Sequence, residues 1–253
     1  MRDVQGVCRT AVVIMAKEPA AGRTKTRLCP PLSPPDAAQL YDALLHDTIA
    51  LVSRLPGVRL AVAVTPPSAV SAFRLRLPHD ALVLPVEGAD IGTCLSRAIE
   101  ELFTAGCSRV IAINSDGPTL PAAYLERAEA LLDRHDVVLG PSEDGGYYLV
   151  GLRHPAPGLF QGIDWSTCRV MGQTMVRADA LGLPVALLPS WYDVDTAADL
   201  DRLRAELAAL PAHELSRTRR FFEDRAPATG TAPDARRVPP DGPPDVPHQE
   251  VSQ

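Results

Sequence analysis

Short, continuous apolar runs alternate along this chain with stretches of helical periodicity, and that alternation constrains the fold more than any other feature. Ala11-Val12-Val13-Ile14-Met15-Ala16 is apolar at every position, the pattern of a strand buried on both faces. Further strands are predicted at 58–64, 81–86, 109–113, 136–139, 147–150 and 185–188. Helices are predicted between them, at about 36–55, 69–77, 91–105, 121–134, 169–181 and from 197 onward. In the first, Ala37, Leu40, Leu44, Leu45, Ile49 and Val52 recur at helical spacing and Asp36 can serve as the cap. Pro121 suits the first turn of its helix. This β-α repetition predicts an α/β protein with three αβα layers around a mostly parallel sheet. The Gly145-Gly146 turn joins two closely spaced strands, so one antiparallel element is expected and the sheet should be mixed. A single domain is expected over 1–224. From about 225 the composition shifts to Pro, Ala, Gly, Asp and Arg, so 225–253 reads as a disordered Pro-rich tail.

Bulk composition narrows the partners. A formal net charge of -6 argues against broad nucleic-acid binding while leaving room for a local basic pocket. The five cysteines are odd in number and form no C-x-x-C pair, which fits unpaired thiols in a reducing compartment. Scattered histidines offer no zinc pattern. The N-terminal residues lack a signal-peptide core, and the apolar run at 11–16 is far below the ~20 residues needed to span a bilayer. A cytoplasmic protein with no membrane partner is expected.

Four segments carry candidate chemistry. Lys17, Arg23, Lys25 and Arg27 share the loop after the first strand with Gly22, Thr24 and Thr26. Point charges, guanidinium forks and free backbone N–H groups suit a triphosphate; a solvated basic loop is the plain alternative. The spacing is not that of a P-loop. Asn114-Ser115-Asp116-Gly117-Pro118 follows the fourth strand and carries Asp116 off its end, where Asp116 can also serve a turn or cap. Asp144-Gly145-Gly146 lets the backbone approach a ligand closely, or simply makes a hairpin turn. Asp193 and Asp195 alternate on an extended segment and can face one cation, while Asp195 or Thr196 can cap the next helix. In an open α/β sheet ligands bind outside the carboxyl ends of strands, and carboxylates gathered there suit Mg²⁺ or Mn²⁺ beside a phosphate.

Taken together these segments resemble a known family. The matching residues are Lys17-x-Pro19-x-x-Gly22-x-x-Lys25-Thr26-Arg27-Leu28, Ser115-Asp116-x-Pro118-x-Leu120, Asp144-Gly145-Gly146-Tyr147-Tyr148-Leu149-Val150-Gly151-Leu152, Asp193-Val194-Asp195-Thr196-x-x-Asp199-Leu200, and Leu159-Phe160-x-Gly162-Ile163-x-Trp165-Ser166-Thr167. Over about 11–205 the chain resembles bacterial transferases of the GT-A (nucleotide-diphospho-sugar transferase) fold. These are usually labelled as glycosyltransferases associated with arsenosugar biosynthesis or with radical-SAM/selenodomain proteins. The layout is also similar to 2-phospholactate guanylyltransferases. That resemblance implies Mg²⁺ held by Asp116, Asp193 and Asp195. It implies Lys17, Gly162 and Ser166 near the acceptor's phosphate or carboxylate, with Gly145, Gly146 and Trp165 in the same acceptor group. Two positions depart from the family pattern: Gly117 stands where Cys is usual, and Cys94 where Arg follows Gly88-Ala89-Asp90-Ile91-Gly92.

Three functions are therefore expected in order. The first is nucleotidyl transfer from an NTP to a small anionic acceptor with release of pyrophosphate. Gly22, Arg23, Lys25, Thr26 and Arg27 would then lie on the phosphates, and Lys17, Lys25, Asp116 and Asp144 would be the catalytic candidates. The second is glycosyl transfer from a nucleotide sugar, with Asp144 or Glu143 deprotonating an acceptor hydroxyl. The third is a non-catalytic nucleotide-binding module, which would have no need to retain all three carboxylates.

Overall fold

The computed structural model describes residues 9–225. Its seven strands are β1 Thr10–Lys17, β2 Val58–Thr65, β3 Leu82–Pro85, β4 Arg109–Ile113, β5 Val137–Pro141, β6 Tyr147–Leu152 and β7 Val185–Leu187. They form one sheet in the order β3-β2-β1-β4-β6-β5-β7. β6 alone is antiparallel, slotted between β4 and β5; the expected mixed sheet is what forms. The tail expected at 225–253 lies outside the described residues beyond Arg225.

Every residue of the β1 run faces one of two apolar layers. Val12 and Ile14 pack with α1 (Pro34–Ser53), α2 (Val70–Arg74) and α4 (Ala122–Leu131). Ala11 and Val13 pack on the other side with α3 (Ile91–Thr104) and α5 (Val170–Ala180). A strand covered on both faces needs apolar residues at every position, which is why alternation is absent from its sequence. A third cluster joins Leu40 and Leu44 of α1 to Leu200, Leu203 and Leu207 of α6 (Ala197–Ala209) and to Phe221 of α7 (Ser216–Glu223). Among the described residues no helix is long and apolar enough to cross a membrane.

Three local expectations change. The cap of α1 is Ser33, whose side chain accepts from the Asp36 N–H, so Asp36 sits one turn inside and adds negative charge there. Pro121 occupies the N-cap of α4 rather than its first turn. Helix α7 was not anticipated, because its run Ser-Arg-Thr-Arg-Arg-Phe-Phe-Glu buries only Thr218 and Phe221. Its first turn is fixed by a distant side chain: Asp47 of α1 accepts from the Thr218 N–H at 2.8 Å, the Thr218 hydroxyl at 2.7 Å and the Arg217 N–H at 3.2 Å.

Candidate active site

β1, β4, β5 and β7 run parallel, so the loops that follow them leave the sheet at one edge. The chain lays β2 and β3 on one side of β1 and then crosses to β4 on the other. Such a reversal opens a crevice at the carboxyl ends of the strands, and the basic and acidic segments meet there.

The loop after β1 is pinned at two points. The Thr24 hydroxyl donates to the Ala20 carbonyl at 3.0 Å, and Leu28 is fully buried in the cluster of α1 and α6 side chains. Between them Lys25 adopts a left-handed backbone, φ 50°, at the start of a short 3-10 turn, Thr26–Leu28. Its side chain is only 5% exposed, and its ammonium lies 3.1 Å from Asp116 Oδ1 and 2.8 Å from Asp195 Oδ1. Burial alone would lower the Lys25 pKa; the adjoining Asp116 and Asp195 carboxylates outweigh it and hold the ammonium above its ordinary value. Arg27 Nη1 approaches the other oxygen of Asp195 at 3.4 Å.

The two acidic segments are joined to each other through the backbone. The Val194 N–H donates to the Asp116 carbonyl at 2.9 Å. Asn114 serves both: its Nδ2 donates to Asp193 Oδ1 at 2.7 Å, and its Oδ1 accepts the Asp116 N–H at 3.3 Å. The Ser142 hydroxyl donates to Asp193 Oδ2 at 3.2 Å. Burial, and next the neighbouring Asp116 charge, push the Asp193 carboxyl up to about 7. Behind this group the Lys17 N–H donates to the Tyr41 hydroxyl at 2.8 Å, and that hydroxyl lies 3.0 Å from Ser115 Oγ. Ser115 Oγ in turn donates to the Met15 carbonyl at 3.3 Å. With its oxygen accepting from Lys17, the Tyr41 hydroxyl is free to donate to Ser115. Burial and the Asp116 charge raise the Tyr41 phenol to about 12, so it stays protonated and the chain of donors stays intact.

Lys25, Arg27, Asp116, Asp193 and Asp195, far apart in sequence, thus share one cluster. Asp144 lies beside it, on the wall of a cleft of about 220 Å³ that Arg27, Ser142, Asp193 and Asp195 also line. The Asp144 side chain accepts the Gly146 N–H at 2.9 Å, shaping the turn. Glu143 instead pairs with Arg202 at 3.0 Å. Lys17, Gly22, Arg23 and Thr26 are exposed along the basic loop.

The remaining predicted residues form a separate flank. Gly145 has φ +91°, and a Cβ there would lie 2.4 Å from the Cys168 carbonyl oxygen; only glycine lets the loop over 161–169 close on this turn. In that loop Gly162 (φ +69°) and Ser166 (φ 63°) are left-handed. Trp165 covers Gly92 at the start of α3 so closely that a Cβ at 92 would fall 2.2 Å from its ring, and it meets Tyr147 edge-on at 6.3 Å. This flank is tied to α3 and β6, whereas the acidic cluster is tied to β4, β7 and the basic loop. Asn114, Ser142, Tyr41 and Ser115 were not among the predicted site residues. Asn114 and Ser115 adjoin Asp116 and could have been found; Tyr41 reads as one more apolar position of α1.

Three carboxylates supply hard oxygen donors of the kind Mg²⁺ and Mn²⁺ take. Among the described residues, however, no three His, Cys, Asp or Glu side chains stand grouped as a metal site. A cation already lies between two of the three carboxylates: the Lys25 ammonium, paired with both Asp116 and Asp195. In donor chemistry the three carboxylates suit a divalent cation; Asp116 and Asp195 are paired with the Lys25 ammonium, while Asp193 is held by the neutral Asn114 amide and Ser142 hydroxyl.

Comparison with known proteins gives the family and the fold. A family model described as "Uncharacterized protein conserved in bacteria (DUF2064)" matches residues 48–167. The chain is 30% identical over 201 residues to 2-phospho-L-lactate guanylyltransferase of Methanothermobacter thermautotrophicus, covering 78% of this chain and 86% of that protein. It is 32% identical over 134 residues to phosphoenolpyruvate guanylyltransferase of Mycolicibacterium gilvum, covering 52% of this chain and 60% of that one. Among solved structures, a protein of Desulfovibrio desulfuricans G20 assigned as a nucleotide-diphospho-sugar transferase superposes with a TM-score of 0.79 at 29% identity, over 86% of this chain and 95% of that one. A CMP:2-keto-3-deoxy-manno-octonic acid synthetase bound to CTP shares the fold, with a TM-score of 0.52 at 14% identity over 79% of this chain and 99% of that one. The expected fold class is therefore the observed one, and the chain belongs to the family that includes 2-phospho-L-lactate guanylyltransferase.

Proposed function

We propose that this protein transfers a nucleotidyl group from a nucleoside triphosphate to a small anionic acceptor and releases pyrophosphate. The observation that carries the proposal is the buried Lys25 ammonium, set between Asp116 and Asp195 at the switch point of the sheet. A cation and carboxylates brought together at that edge suit a ligand of high negative charge accompanied by a metal. Two relatives named as guanylyltransferases make GTP the first donor to test.

An acceptor phosphate or carboxylate oxygen is already ionised, so its attack on the α-phosphorus needs no general base. The new bond forms at that phosphorus as the bond to the α,β-bridging oxygen breaks, and the electron pair leaves with pyrophosphate. Lys25 and Arg27 neutralise the charge that grows on the leaving group, which is catalysis by positioning and charge compensation. Asp116, Asp193 and Asp195 would hold Mg²⁺ or Mn²⁺, which when bound supplies further charge neutralisation at the reacting oxygens. Asn114 and Ser142 orient Asp193 for that role. Gly22, Arg23 and Thr26 extend the phosphate-binding loop. Gly145, Gly146, Gly162, Trp165 and Ser166 form the acceptor flank, supported by the packing of Trp165 between α3 and β6, and Lys17, exposed at the end of β1, is the cation assigned to the acceptor.

The test is an incubation with Mg²⁺, GTP and the other triphosphates, a set of nucleotide sugars, and pooled small phosphorylated or carboxylated acceptors. Pyrophosphate is the expected product from a triphosphate donor. Release of nucleoside diphosphate from a nucleotide sugar, with no pyrophosphate, would replace this reading with glycosyl transfer. Lys25→Ala and Asp116→Ala should each lower pyrophosphate release by about a hundredfold or more, the usual scale for removing a transition-state charge partner.

A further inference from the structure

Lys25 sits between two of the carboxylates proposed to hold a divalent cation. One ammonium, nearly excluded from solvent, bridges Asp116 Oδ1 and Asp195 Oδ1, and Arg27 faces the other oxygen of Asp195. A divalent ion at those same oxygens would meet the ammonium at close range, where like charges repel strongly in a partly buried setting. The adjoining cleft is acidic as well: Glu143, Asp144, Asp193, Asp195 and Asp199 line it with Arg27, and Arg202 offsets only Glu143 among them. A bare triphosphate meets repulsion there, and a bare metal ion finds Asp116 and Asp195 already neutralised. The segment that holds Lys25 is pinned at Thr24 and Leu28, while Lys25 itself has an unusual left-handed backbone. Those anchors leave the long lysine side chain as the part able to exchange partners.

We infer that Lys25 is an internal counter-ion that keeps free metal off Asp116 and Asp195, and that the phosphates of the nucleotide release those carboxylates by taking the ammonium for themselves. Metal and triphosphate then bind as a coupled pair, each removing the obstacle to the other, and the protein does not load metal ahead of its nucleotide. Coupling of this kind is reciprocal: the factor by which triphosphate tightens metal binding equals the factor by which metal tightens triphosphate binding. This inference rests on the proposed function for the identity of the ligand, but its central measurement needs no turnover.

That measurement is the affinity for Mn²⁺ alone, read by electron paramagnetic resonance on the full chain, in wild type, Lys25→Met and Lys25→Gln. The expected result is at least about tenfold tighter Mn²⁺ binding in both variants than in wild type. Circular dichroism confirms that each variant is folded, and either one suffices. In a second arm, inorganic triphosphate should tighten Mn²⁺ binding to wild type and have little such effect on the variants. Equal affinity of wild type and a folded variant for Mn²⁺ alone would overturn the inference. So would wild-type affinity unchanged by inorganic triphosphate, a result that needs no variant. Failure to detect Mn²⁺ binding in any protein under any condition would overturn it together with the metal assignment. A positive metal result without pyrophosphate release would leave the counter-ion standing and remove the proposed reaction.

Discussion

Asp193 differs from its two acidic neighbours in the company it keeps. Lys25 touches Asp116 and Asp195, while Asp193 is held by the neutral amide of Asn114 and the hydroxyl of Ser142. Its carboxyl, pushed up to about 7, holds a proton more tightly in the folded chain than in the unfolded chain, where its ordinary value is 3.8. Between those two values the folded state binds more protons, so stability must fall as pH rises through the window. Urea denaturation of the metal-free protein at a series of pH values should show that fall, and Asp193→Asn should flatten it. Asn114 provides the other test at this scale. Because one side chain steadies both acidic segments, Asn114→Ala should cost about tenfold to a hundredfold in Mn²⁺ affinity with triphosphate present, the range typical of groups that orient metal ligands.

Helix α6 begins immediately after Asp195, and its start is well secured. The Thr196 side chain accepts from the Asp199 N–H while Asp199 Oδ2 accepts the Thr196 N–H at 2.7 Å, a reciprocal capping box. The Asp195 N–H is drawn into the same carboxylate at 3.2 Å. Thr196→Ala should therefore lower stability by about 1 kcal/mol, measured by denaturant midpoint, and should also loosen the backbone that presents Asp195. Much at this scale was legible in the sequence. Runs such as 11–16 and 109–113 announce buried strands because both faces are covered, and Thr196 announces a helix start because few other residue types satisfy a free N–H there. Pairing across sequence distance was not legible. Nothing in Asp47, which falls on a buried face of α1, signals that it organises the first turn of α7. Likewise the loop 17–28 shows its charges, but not that Lys25 turns inward while Arg23 stays exposed.

At the scale of the whole molecule, the sheet order decides which loops can meet, and α7 packs against α1. Asp47 is the fastening. Removing it in Asp47→Ala would leave the fully buried Thr218 hydroxyl and N–H without their acceptor, at a cost of about 1–3 kcal/mol. The unfolding midpoint should drop accordingly, with the folded protein's Mn²⁺ affinity unchanged, since Asp47 bonds to the first turn of α7 and to none of the three carboxylates' partners. The hydrogen bond from Val194 to the Asp116 carbonyl has a consequence of another kind. Two stretches of polypeptide remote in the chain are thereby fastened to each other, by this backbone bond and by the Asn114 amide. A designer who transplants one onto a foreign scaffold without the other would carry over carboxylates stripped of the backbone that braces them.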